Sequence, residues 1–132
     1  MYLNLLSKAE KELFLQACLH ISSVDGSFSD DEKNVITQLC QEMQIPASFV
    51  QTKDLDIVLG ELRMTSSMRS KKVILFELAG VVMADGVYDD LEKNLMYQMA
   101  EKMELSSDFV DEAIDKISAL IQLYKKIGAF IN

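Results

Sequence analysis

Apolar residues recur at helical spacing along almost the whole chain. Phe14, Ala17, Cys18 and Ile21 form one stripe, and Val35, Ile36, Leu39 and Met43 form a second. Leu55, Val58, Leu59 and Leu62 mark a shorter helix. Residues 73–84 are apolar almost all round, broken only by Glu77 and Gly80, which predicts a central buried helix. Leu95, Met96, Met99 and Met103 repeat the second stripe, and Ile114, Ile117, Leu120, Ile121 and Tyr124 predict a long last helix. The stop signals agree with these stripes. Ser7 with Glu10, and Ser29 with Glu32, read as capping boxes. Pro46 reads as the start of a short helix. Gly26 and Gly86 stand where a helix ends and a left-handed residue turns the chain. The pattern predicts an all-α bundle of seven helices, near 7–24, 29–44, 46–51, 54–63, 67–84, 89–103 and 106–127.

The chain also repeats itself. Residues 25–51 align without a gap on 85–111, and ten of the twenty-seven pairs are identical. Asp25-Gly26-Ser27-Phe28-Ser29-Asp30-Asp31-Glu32 returns as Asp85-Gly86-Val87-Tyr88-Asp89-Asp90-Leu91-Glu92. Residues 7–51 and 67–111 therefore read as two helix–loop–helix units related by a pseudo-twofold. The segment 52–66 joins them and the last helix closes the bundle. The whole chain, 1–132, reads as one domain.

The retained acids are the chemical candidates. On a helical wheel Asp25 continues the stripe of Phe14, Cys18 and Ile21, and Asp85 continues that of Ile74, Leu78 and Val81. Glu32 and Glu92 align with the apolar stripes behind them. All four carboxylates are thus expected to point inward, which is costly without a partner. Capping is one explanation: Glu32 and Glu92 occupy the third helical position behind Ser29 and Asp89. A divalent cation is the other. Placing Gly26 on the sixth position of an EF-hand loop puts Asp25 on the fifth and Glu32 on the twelfth. The first half of such a loop is absent, since its ligands would be Ile21 and Ser23, or Val81 and Met83. One loop therefore supplies too few oxygens. If the two loops meet, Asp25, Glu32, Asp85 and Glu92 together suit Ca²⁺ or Mg²⁺ better than zinc.

Asp-Gly-x-(Phe/Tyr)-x-x-x-Glu between helices, present twice, resembles the TerB-like family, whose namesake is tellurite-resistance protein B. The N-terminal part of a membrane-anchored DnaJ-type co-chaperone is related to it. The resemblance rests on Val24-Asp25-Gly26…Glu32, Ala84-Asp85-Gly86…Glu92 and Leu105-Ser106-Ser107-Asp108-Phe109-Val110, and covers roughly residues 7–125. Ser23-Val24 replaces the small residues often found before the first Asp-Gly, so the first loop is the less typical copy. The resemblance implies a compact helical bundle with an acidic, metal-linked patch. It also implies a non-enzymatic role in bacterial stress responses, exercised through protein contacts.

Composition narrows the partners. A formal charge of −8 repels phosphate backbones, so nucleic acid is not expected as a partner. The N-terminus lacks the cationic start of a signal peptide, and the longest apolar run is twelve residues. A cytoplasmic chain with no membrane insertion is expected. Cys18 and Cys40 align with Leu78 and Ala100, which marks them as small core residues. Cys18 and His20 are two apart on a helix and do not face each other, so a Cys–His catalytic pair is not expected. Arg63, Arg69, Lys71 and Lys72 form a basic stretch without an acid between them. Arg69, Lys71 and Lys72 are the candidate docking residues for an acidic partner; pairing with acids elsewhere is the other reading. The apolar residues out to Phe130 and Ile131 suggest a dimer surface on the last helix. The function expected is a non-enzymatic interaction or sensor module tuned by a divalent ion. A plain acidic scaffold, or a metal-dependent hydrolase, are the alternatives.

Overall fold

The computed structural model describes residues 1–26 and 28–132; Ser27, in the first repeated loop, lies outside the described residues. A 3₁₀ turn at Leu3–Leu5 leads into α1 (Lys8–Ser22), α2 (Asp30–Met43), α3 (Leu55–Thr65), α4 (Met68–Val82), α5 (Asp90–Lys102) and α6 (Ser107–Ile131). No strand is found among the described residues. α1 and α4 lie at the centre: α1 packs on α2, α3, α4 and α5, and α4 also packs on α5 and α6. Phe14, Ile21, Ile36, Leu62, Ile74 and Met96 are wholly buried in one core. Cys18 and Cys40 are buried free thiols, as their apolar repeat partners predict, and burial pushes the Cys18 thiol well above its ordinary range. Glu77, the acid inside the apolar run, is buried and accepts the Tyr2 N–H at 2.7 Å.

The helix starts are set locally. Ser7 and Ser29 each accept the backbone N–H of the third helical residue, and Glu10 and Glu32 reach back to the cap. Asp89 and Glu92 build the same box at α5. Among the described residues, the four with positive φ fall in repeat-related pairs. They are Gly26 (83°) with Gly86 (79°), and Gln44 (59°) with Glu104 (63°). The repeat therefore reaches the backbone at these turns, including two where no glycine announces it.

The expected helix at 46–51 does not form. In the second copy Ser106 caps α6 by accepting the Phe109 N–H at 3.3 Å. Pro46 stands at the equivalent place in the first copy and has no side-chain oxygen to offer. Helix α1 satisfies the extended chain instead. Gln16 donates through Nε2 to the Val50 carbonyl at 3.2 Å and accepts the Thr52 N–H through Oε1 at 2.9 Å. His20 Nε2 lies 2.8 Å from the Lys53 carbonyl, and Gln51 Nε2 donates to Ser23 Oγ at 3.0 Å. Residues 46–54 thus form a strap held across α1. At the other end of the chain, α6 runs four residues past the expected boundary, to Ile131.

Candidate functional site

The repeated loops divide their four carboxylates into an inner and an outer pair. Glu32 and Glu92 are buried, at 7% and 6% exposure. Asp25 and Asp85 are exposed, against the expectation that all four point inward. The wheel fails there because α1 ends at Ser22 and α4 at Val82. Two turn residues then carry each aspartate out of the helical phase. Asp85 Oδ1 accepts the Val87 N–H at 2.9 Å, which closes the second turn on itself. Phe28 and Tyr88 are half-buried against the core and anchor the loops.

The buried glutamate of the second loop is electrostatically perturbed. Glu92 is pushed up to about 7, first by burial. The bond from the Asp89 N–H works against this, and the charges of Asp89, Asp85 and Glu32 add to it. Glu32 accepts hydrogen bonds from Ser29 N (3.1 Å) and Ser29 Oγ (3.0 Å), whereas Glu92 accepts from Asp89 N at 3.3 Å beside an anionic cap. The two caps thus differ in charge, a neutral Ser29 against an anionic Asp89. Tyr88 Oη is buried without a hydrogen-bond partner among the described residues, and its pKa rises to about 12, chiefly through burial. Among the described residues no three His, Cys, Asp or Glu side chains converge as a metal-ligand set. The inner pair fits Ca²⁺ or Mg²⁺ only with water supplying most of the shell.

A second feature lies where the N-terminal turn, α4 and α6 meet. An open groove of about 420 Å³ has a floor of Leu5, Val73, Phe76 and Phe109, with Tyr2 standing edge-on to Phe76. The Tyr2 and Phe76 rings are 6.2 Å apart at 67°. Arg69, Lys72 and Lys116 complete the lining, and no acid belongs to it. All three cations are exposed, and none makes an ion pair among the described residues. Lys71, expected beside them, is buried at 6% exposure. It shares the inward face of α4 with Ile74, Leu75 and Leu78, while Arg69, Lys72, Val73 and Phe76 occupy a different face. The basic run is therefore split by helix geometry, and only part of it is a surface.

No protein-family model, curated protein or solved structure matches the chain.

Tyr2, Leu5, Phe76, Phe109 and Lys116 belong to the groove but were not singled out by sequence reasoning. A partial signal existed. Phe109 and Lys116 are seven apart, hence on one helix face, and Phe76 sits one turn beyond Lys72. Nothing in the linear pattern brings Tyr2 to Phe76, which is a tertiary event. Chemically the groove offers apolar area and fixed positive charge. The loops offer a proton-binding glutamate, Glu92, at a helix N-terminus.

Proposed function

We propose that this chain is a non-enzymatic interaction module of the TerB-like kind, serving a bacterial stress response through protein contacts. Its two helix–loop–helix units would be related by the internal pseudo-twofold that the repeat suggests. The observation that carries the reading is the apolar groove rimmed by Arg69, Lys72 and Lys116, three cations without ion-pair partners among the described residues. Exposed apolar floor combined with unspent charge is what a protein-binding surface presents. The test is a photo-crosslinking residue at Leu5, which is 45% exposed, introduced into the protein in bacterial host cells. A discrete adduct is expected, and Arg69→Glu with Lys72→Glu should abolish it. No adduct, or the same adduct from Gln98 on α5, overturns the proposal.

A second reading gives the module a divalent ion at Glu32 and Glu92. It is supported by the buried pair whose charges oppose one another. Millimolar Ca²⁺ or Mg²⁺ should then raise the melting temperature of the wild type but not of Glu32→Gln with Glu92→Gln. If the glutamates serve only as caps, neither protein shifts. The hydrolase alternative would require turnover that these same two carboxylates control.

A further inference from the structure

The groove does not end at Lys116. Leu120, Leu123, Ile127 and Phe130 follow Phe109 at intervals of eleven, fourteen, eighteen and twenty-one residues, which keeps them on its side of α6. Leu123 is 53% exposed, Ile127 44% and Phe130 90%. The deepest side chains of α6 stop at Ile117, so the C-terminal part of this helix leaves the core while keeping an apolar face. Its charges are one-sided. After Asp115 the helix contains Lys116, Lys125 and Lys126 and no acid. From Phe109 to Phe130 the band spans about 30 Å at the usual helical rise.

Resting on the interaction reading above, the geometry points to one occupant: an acidic amphipathic helix of a partner protein, lying along α6 with an apolar anchor in the groove. Three observations favour it. The groove is open and aromatic, which suits a protruding Leu or Phe side chain. The band has the length and straightness of a helix of roughly twenty residues. The charges that line the groove, from Arg69, Lys72 and Lys116, are all positive and complement an acidic flank. An anionic bilayer matches less well. With Arg69, Lys72 and Lys116 set aside, the rest of the chain carries −11. A membrane plane would meet that charge, whereas a peptide helix meets only the band.

The test displays a random library of twenty-residue peptides to the full chain. Enriched peptides are expected to be net acidic, with Leu or Phe at three- and four-residue spacing. Arg69→Glu with Lys72→Glu should weaken the best of them at least tenfold, and Lys116→Glu roughly threefold. Affinity should also fall with salt. The altered side chains are exposed, and circular dichroism melts will show that each variant is folded. Enrichment of neutral or basic peptides overturns the proposal, as does binding indifferent to the charge reversals. Recruitment to phosphatidylserine vesicles without peptide enrichment assigns the face to lipid. Sedimentation as a dimer through the same residues assigns it to a second copy. A Leu5 adduct without acidic enrichment refutes only this partner chemistry. Absence of both adduct and enrichment refutes the interaction reading itself.

Discussion

Replacing Glu92 with Gln should make the protein more stable at pH 8 and leave it nearly unchanged at pH 4.5. Glu92 is 6% exposed and titrates near 7 instead of 4.5. Between those values the folded protein holds a proton that the unfolded chain releases. Stability therefore falls as pH rises through the window, and the full penalty is present above about pH 7. A rise of this size corresponds to about 3 kcal/mol as an upper limit. Solvent screening reduces that figure, and so does the favourable placement of a charge at a helix N-terminus, leaving about 1–2 kcal/mol. Gln keeps the oxygen that accepts the Asp89 N–H, so the cap survives the change. In a domain of this length the gain appears as roughly 3–7 °C in melting temperature. The assay is thermal unfolding of both proteins by circular dichroism from pH 4.5 to 8, read as the difference between them. Taking the difference removes the general effect of the chain's negative charge. Asp89→Ser, which copies Ser29 of the first loop, should move the same window to lower pH. A difference that does not change with pH, or a wild type more stable than Glu92→Gln at pH 8, refutes the reasoning.

Gly86 has φ +79° and open space around its missing Cβ, so Gly86→Ala should lose about 1–2 kcal/mol through backbone strain alone, measurable by urea unfolding. Gln44 holds φ 59° at the end of α2, and Gln44→Gly should be neutral or stabilising by up to about 1 kcal/mol; a clear loss would refute the strain argument. Gln16→Ala removes two of the hydrogen bonds that hold the 46–54 strap and should cost about 1–3 kcal/mol. Hydrogen exchange should then speed up at Thr52, and protection there equal to the wild type would show that the strap is held by something else.

How far the sequence can be read depends on the range of the interactions involved. Capping boxes at Ser7, Ser29 and Asp89 act over three residues and are visible as written. The left-handed turns at Gly26 and Gly86 are equally local. The failed helix at 46–51 is different. Its propensity is overruled by Gln16 and His20, more than thirty residues away. The inward placement of Asp25 and Asp85 fails for another reason. A wheel is valid only while the helix continues, and both helices stop first. Lys71 shows the opposite case, where the wheel was informative and counting basic residues along the chain was not.

The sequence alone thus determined the all-helical class, the starts of the six helices and the doubled turn, because these follow from apolar periodicity and from hydrogen bonds within a single turn. Tertiary structure alone decided the burial of Glu92, which is the first cause of its raised proton affinity. It also decided that Tyr2, Phe76, Phe109 and Lys116 share one groove. Burial and Coulomb forces act through space, and a linear pattern does not record which distant residues the packing of α1, α4 and α6 brings together.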